Sequence, residues 1–181
     1  FNLNKYLVLS DPNKNEFSHN VMLQALRNTD NRIKNDQSVT PGFLLAALLW
    51  PTLISRCTKN NEINIRKFFR SMDGVLREQQ KLTAVPRKFN SYIKDIWVLQ
   101  LKLHSRIKSQ PYKTIRHPRF RAAYDFLLVR EKASSDKNGL GKWWTDFQKN
   151  DDSLKGSLIA KMNEKNDIDS SKIFGFYNEL R

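Results

Sequence analysis

A run of eight apolar residues, Phe43 to Trp50, constrains the fold of this chain more than any other stretch. On a helix, these side chains would leave almost no polar side, and such helices lie buried among other elements. Thr40 and Pro41 precede the run as a typical helix start, with a capping hydroxyl followed by proline at the first helical position. The sequence therefore predicts one central, buried helix with other helices packed around it.

Elsewhere, apolar residues recur at steps of three and four, the period of a helix with one buried side. This spacing predicts helices near residues 17–33, 63–76, 86–110, 118–130 and 140–147. No segment alternates between apolar and polar residues with a period of two, as a half-buried strand would. The predicted fold class is all-α, an irregular bundle of six to eight helices with a polar C-terminal tail.

The length and termini suggest how the chain is organised. We predict a helical region over residues 1–150 and a polar tail of mixed charge over residues 151–181. The first residues lack a signal-peptide pattern, and the chain lacks an initiator methionine, so we expect a piece of a longer or processed protein. The longest apolar run is far short of the roughly 20 residues that a membrane span needs. The single cysteine, Cys57, excludes an internal disulfide and is predicted to be structural.

Positive charge is concentrated in the middle of the chain. Residues 61–130 contain 16 basic and 5 acidic side chains, which is +11 of the net +14. Charge this concentrated implies an anionic partner, and nucleic acid is the one we favour over an ordinary solvated helix surface. The candidate contacts to nucleic-acid phosphates are Arg87, Lys88, Lys94, Lys102, Arg106, Lys108, Lys113, Arg116, Arg119 and Arg121.

Few residues suit catalysis or metal binding. The chain has three histidines, one cysteine and no HExxH or CxxC motif, so we predict no metal site. His117 precedes Pro118 among arginines, and we interpret it as a cap or a backbone-binding group. Gly156-Ser157 and Asp167-Ile168-Asp169 are similar to a nucleotidyltransferase GS and DxD signature, but their polar neighbours do not fit the buried strand that such carboxylates need. The chain itself is therefore predicted to have no catalytic centre.

Trp143 and Trp144 allow two interpretations. Adjacent indoles can stack on nucleic-acid bases. Together with Leu140 and Phe147, however, they follow helical spacing, so we predict that they belong to the core.

Several strings in the chain resemble the C-terminal part of the bacterial poly(A) polymerase I family. They lie in order with compatible spacing, and HPRFRAAYD is the most specific part of the set. The strings are LRNTDNRIKND (26–36), TPGFLLAALLWP (40–51), AVPRKF…IKDIWVLQLKL (84–103), HPRFRAAYDFLLVR (117–130) and KWWTDFQ (142–148). One departure stands out: the family tail is arginine-rich, whereas residues 150–181 contain Arg181 as their one arginine.

This resemblance implies an enzyme that adds AMP from ATP to RNA 3′ ends, with ATP and Mg²⁺ bound by a catalytic head outside the matching region. The present chain would then be the RNA-binding body and leg, with no cofactor of its own. The implied partners are single-stranded RNA 3′ ends, the head of the same parent chain and RNA-decay or RNA-chaperone proteins, in the bacterial cytoplasm and without a membrane.

Three alternatives remain open from the sequence. The related CCA-adding enzymes mature tRNA, and the residues that select the nucleotide lie outside the matching strings. A DNA-binding helical protein would need a recognition helix with side chains that read bases. A protein-interaction scaffold would depend on an apolar or acidic partner surface and not on the number of phosphates.

Overall fold

The computed structural model describes residues 16–59, 62–83, 85–134 and 139–166. The prediction of an all-α fold is confirmed: this part of the chain forms eight helices. A ribbon of two antiparallel strands, each two residues long, joins the second and third helices, and no pattern in the sequence predicted it. The elements are α1 (Glu16–Lys34), α2 (Pro41–Cys57), β1 (Thr58–Lys59), β2 (Glu62–Ile63), α3 (Ile65–Leu82), α4 (Lys88–Leu103), α5 (Gln110–Ile115), α6 (Phe120–Ala133), α7 (Leu140–Lys149) and α8 (Asp152–Asn166).

Helix α2 is the central element, as its apolar run predicts. It packs against α1, α3, α4 and α6. Ala46, Leu49 and Trp50 on α2 are buried. The indole N–H of Trp97 on α4 donates a hydrogen bond to the Ala46 carbonyl oxygen at 2.9 Å. Because both groups are buried, this bond fixes α4 against α2 as well as satisfying two polar atoms.

Two apolar cores lie side by side. The first joins α1, α2 and α3 to parts of α4 and α6, with the Trp50 ring meeting Phe68 and Phe126 edge-on. The second joins the end of α4, the start of α6, α7 and α8. Trp143 and Trp144 are both buried in this second core, which confirms the interpretation of them as core residues. Helices α4 and α6 contribute to both cores.

The predicted helix from Pro86 to Gln110-Pro111 is wrong at its C-terminal end. Helix α4 ends at Leu103, and Gln110 begins α5. Lys108 between them has a φ of 51°, in the left-handed region that interrupts a helix. Pro111 then lies in the first turn of α5, where its missing N–H would have had no helical partner. The proline therefore begins a helix here, whereas the predicted helix over residues 86–110 placed it just after a helix end.

The beginning of the predicted tail is helical. Helix α8 starts at Asp152, next to Asp151, whose carboxylate accepts a hydrogen bond from the Leu154 N–H at 2.9 Å. Ile159 is buried in the second core. The division at residue 150 stays a prediction, and Asp167-Ile168-Asp169 lies outside the described residues. None of the helices in the described ranges combines the length and the hydropathy needed to cross a membrane.

Candidate nucleic-acid interface

The ten predicted phosphate contacts lie in three different surroundings. Eight of them are exposed, and Lys94 and Arg106 are half-buried. Arg119 and Arg121 line a groove at the start of α6. Lys94 faces α3, and Arg106 packs against α7. The structure therefore brings only some of these residues together.

The groove lies between α1, α4, α6 and the connection from α1 to α2, and we call it the α1–α6 groove. Its volume is about 470 Å³. Its lining contains four basic side chains, Arg32, Arg119, Arg121 and Lys132, and one acid, Asp125. Four cations against one carboxylate in a concave surface raise the local concentration of anions. The lining of this groove therefore has a net charge of +3, from four basic side chains and one acid.

Intramolecular contacts hold the groove arginines in place. The Arg119 guanidinium carbon lies 4.8 Å from the centroid of the Tyr92 ring on α4. Arg32 Nε donates to the Ser38 carbonyl oxygen at 3.1 Å, and Arg121 forms an ion pair with Asp125 at 3.1 Å. A phosphate that binds here meets guanidinium groups that have already lost part of their rotamer freedom, which lowers the entropic cost of binding.

His117 positions the start of α6. Its Nδ1 accepts a hydrogen bond from the Arg119 backbone N–H at 3.1 Å, and its carbonyl oxygen accepts one from the Phe120 N–H at 2.8 Å. His117 is therefore a backbone-binding group, one of the two roles predicted for it, whereas the N-cap position of α6 is occupied by Arg119. This hydrogen bond matters for the groove because it holds the backbone of Arg119, whose side chain lines the groove.

Sequence reasoning missed two of the four groove cations. Arg32 is in the last turn of α1, outside the basic window of residues 61–130, and Lys132 is in the last turn of α6. They are a hundred residues apart in the chain. Their meeting depends on the packing of α1 against α6, which is among the largest contacts in the fold. No local signal in the sequence could have found this pair.

At the edge between α3 and α4, one candidate is already neutralised. Lys94 Nζ lies 2.5 Å from an Asp73 carboxylate oxygen on α3. Lys88 lies over the ring of its neighbour Phe89 at 5.4 Å, and Arg87 is exposed where α4 begins. Arg87 and Lys88 are therefore more accessible to a phosphate than Lys94 is.

The third surrounding lies around α5 and α7. Arg106 is half-buried over the Trp143 ring at 5.8 Å, and burial lowers the pKa of its guanidinium. Its Nε has no hydrogen-bond partner within the described part of the chain. Four other candidates in this region are exposed, namely Lys102, Lys108, Lys113 and Arg116. Within the described ranges, no three histidine, cysteine, aspartate or glutamate side chains form a group that could hold a metal ion.

Arg130 belongs to the basic stretch by sequence but points into the fold. Its guanidinium carbon lies 4.7 Å from the Trp50 ring centroid, and its Nη1 donates to Gln100 Oε1 at 3.0 Å. Burial lowers the pKa of Arg130 to about 10. Gln100 Nε2 in turn donates to the Ala123 carbonyl oxygen at 3.0 Å. This polar cluster joins α2, α4 and α6 beneath the groove and leaves Arg130 unavailable to a strand at the surface.

Comparison with known proteins places this sequence in a family. The family described as "Polymerase A arginine-rich C-terminus" matches residues 60–172. The chain is 37% identical over 134 residues to poly(A) polymerase I of Escherichia coli O157:H7 and 35% identical over 134 residues to that of Salmonella typhi; each match covers 71% of this chain and 29% of the relative. The chain is 31% identical over 153 residues to poly(A) polymerase I of Haemophilus influenzae, and this match covers 82% of this chain and 34% of the relative. The chain thus spans about a third of the length of these relatives.

Proposed function

The chain belongs to the family with the polymerase A arginine-rich C-terminus, and from this premise we propose that it is the RNA-holding C-terminal region of a polynucleotide adenylyltransferase. The parent enzyme would transfer AMP from ATP to RNA 3′ ends, with Mg²⁺ and ATP held by a catalytic head that the matched relatives are long enough to include. In this proposal the present chain binds the RNA and orients its 3′ end toward that head. RNA-decay or RNA-chaperone proteins are proposed as further partners.

The observation that supports this proposal best is the α1–α6 groove. It collects basic side chains from two helices, with Tyr92 from a third beneath Arg119. Arginine suits phosphate because its planar guanidinium can donate two parallel hydrogen bonds to one anion. Such contacts orient a strand without reading its bases, as an enzyme acting on many transcripts requires.

The test is fluorescence-anisotropy binding of the 181-residue chain to labelled oligo(A), a tRNA and a DNA duplex at two salt concentrations. The groove variant carries Arg32→Gln, Arg119→Gln and Lys132→Gln. For single-stranded RNA, each lost phosphate contact lowers the log–log salt slope by about 0.7, so we expect a decrease of about 2 for this variant.

A matched control removes three exposed lysines from α7 and α8, through Lys142→Gln, Lys149→Gln and Lys161→Gln. It lowers the net charge by the same amount, so long-range attraction alone affects both variants equally. If the groove and control variants bind oligo(A) alike, the groove does not hold RNA. Tighter binding of tRNA than of oligo(A) would indicate a CCA-adding parent, and tighter binding of the duplex would contradict the proposal.

A further inference from the structure

A second basic surface follows one side of α3. Four cations are spaced four, seven and four residues apart, and at about 100° per residue they fall within about 60° of one another. We call them the α3 stripe: Arg66, Arg70, Arg77 and Lys81. All four are exposed, and at about 1.5 Å per residue the stripe is about 22 Å long. The opposite side of α3 buries Phe68, Met72 and Val75 in the first core.

The acids of α3 do not neutralise this stripe. Asp73 pairs with Lys94 of α4 at 2.5 Å, and Glu78 pairs with Arg56 of α2 at 2.7 Å. Within the described residues the stripe cations form no ion pair, although Lys81, three residues after Glu78, also contributes to the lowered pKa of that carboxyl. Like charges four residues apart destabilise a helix by a few tenths of a kcal/mol, and the stripe contains two such pairs. An external polyanion would remove this repulsion.

We propose that the α3 stripe is a second track for RNA phosphates, continuous with the α1–α6 groove over the start of α4. The inference rests on the proposed function, because it takes the groove to be the first RNA contact. Three of the four stripe residues are arginine, whose planar guanidinium can donate two parallel hydrogen bonds to one phosphate. Apart from Leu82 at the end of the helix, which is 44% exposed, the apolar side of α3 faces the core, so the stripe offers a partner charge and few apolar contacts, whereas a protein partner would need apolar anchor residues to bind tightly.

A contact between α3 and α4 places the end of the stripe near the start of α4. Gln80, near the end of α3, donates to Asn90, near the start of α4, at 3.4 Å. Tyr92 lies two residues later on α4, about 200° around the helix, where it lines the groove beneath Arg119. Arg87 and Lys88 are exposed at the start of α4 and supply basic charge there. A single strand that leaves the stripe near Lys81 would therefore pass over the start of α4, beside Arg87 and Lys88, to reach the groove.

The inference predicts a dependence on RNA length. The stripe is about 22 Å long, so an oligo(A) of about six residues can occupy one surface, whereas one of about 25 residues can reach both. Two linked contacts strengthen binding by a factor of about 10² to 10⁴. We therefore expect the longer oligo(A) to bind at least about a hundredfold more tightly than the shorter one.

The test compares the stripe variant, Arg66→Gln with Arg70→Gln and Arg77→Gln, with the groove variant and the α7–α8 lysine control. In the stripe variant we expect the advantage of the longer oligo(A) to fall by about tenfold or more and its log–log salt slope to fall by about 2. The lysine control should keep both properties. Thermal unfolding of each variant checks that these exposed substitutions leave the fold intact.

The outcomes separate the two proposals. If the stripe variant keeps the length advantage and the salt slope while the groove variant loses binding, the stripe inference is wrong and the groove function stands. If no RNA binds to the unmodified chain, both fail. A poly-glutamate chain of equal charge provides the last comparison: binding as tight as that of oligo(A), and equally dependent on the stripe, would overturn the assignment to phosphate.

Discussion

Gly42 allows α2 to approach the rings of Phe89 and Tyr92 on α4 closely. A Cβ at this position would lie 2.9 Å from Tyr92 Cδ1 and 3.0 Å from Phe89 Cδ1, closer than side chains normally approach. Gly42→Ala should therefore push Tyr92 out of place beneath Arg119. Overpacking costs about 1–3 kcal/mol, and the better helix propensity of alanine returns up to about 1 kcal/mol. We expect a net loss of about 1 kcal/mol in the free energy of unfolding, measured by urea denaturation, with weaker oligo(A) binding.

Gly156→Ala provides the control for this prediction. Gly156 is exposed on α8, and a Cβ there meets nothing within 4 Å. The substitution should stabilise the chain by up to about 1 kcal/mol through helix propensity alone, with RNA affinity unchanged. If the two substitutions changed the free energy of unfolding equally, the Tyr92 ring would move aside at no energetic cost.

The two adjacent tryptophans should respond differently to the same substitution. Trp144 Nε1 donates to the Leu103 carbonyl oxygen at 2.9 Å, whereas Trp143 Nε1 has no partner among the described residues. Both Trp→Phe changes remove part of a buried ring, but only Trp144→Phe also removes a hydrogen bond, worth about 1 kcal/mol. Chemical denaturation should show Trp144→Phe to be the more destabilising by about that amount. The reverse order would mean that ring packing at Trp143 outweighs the hydrogen bond.

Single residues differ in how far sequence could predict them. Helical spacing was enough to place Trp143 and Trp144 in a core, because burial follows the periodicity of one helix. His117 was predictable as a backbone-binding group because a helix start follows it closely. Arg32 and Arg130 were not, since their roles depend on residues of other helices. Whether each of the ten candidate cations contacts RNA stays a prediction.

At the scale of elements, one ion pair joins the end of α2 to α3. Arg56 contacts Glu78 through two hydrogen bonds, of 2.9 and 2.7 Å, and this bonding lowers the pKa of the Glu78 carboxyl. A carboxyl whose pKa is lower in the folded state stabilises the fold above its ordinary pKa, and the contribution disappears as the pH falls through the lowered value. Stability should therefore depend on Glu78 at neutral pH but not in strong acid.

We expect Glu78→Gln to lower the free energy of unfolding by about 0.5 kcal/mol at neutral pH, because both partners are partly exposed and solvent screens the pair. Urea denaturation at a series of pH values checks this. The difference from the unmodified chain should shrink below the ordinary pKa of 4.5 and vanish once Glu78 is protonated in the folded state. A difference that persists in acid would assign the effect to packing.

The helix pattern predicted most elements but not every end. The buried α2 followed from its apolar run, and α3, α6 and α7 from their spacing. The break after Leu103 was missed because Ile107 continues the apolar pattern of α4. Local geometry at Lys108 overrides that pattern, and the chain turns so that α5 can pack Tyr112 against Phe147 of α7. Packing in the second core decides where α4 ends. Because several helices build this core, no single segment of the sequence predicts that end.

For the whole molecule, the sharing of α4 and α6 predicts that the two cores unfold together. Phe147 is fully buried in the second core, with its ring stacked on Trp143 at 4.9 Å. Phe147→Ala should cost about 3–5 kcal/mol. Since the two cores have helices in common, thermal unfolding of this variant should remain one transition at a lower temperature, with tryptophan fluorescence and far-ultraviolet circular dichroism coinciding. Two separated transitions would show that the first core unfolds on its own.

The shared helices also carry a consequence for amide hydrogen exchange. Arg119, immediately before α6, and Tyr92 on α4 line the groove, so a strand bound there stabilises the two helices that both cores share. A ligand that binds only the folded state suppresses every opening that passes through unfolding. Exchange should then slow at backbone amides of α7, such as that of Phe147, although no basic residue assigned to the RNA path lies on that helix. RNA bound in the groove would then stabilise the second core without contacting α7.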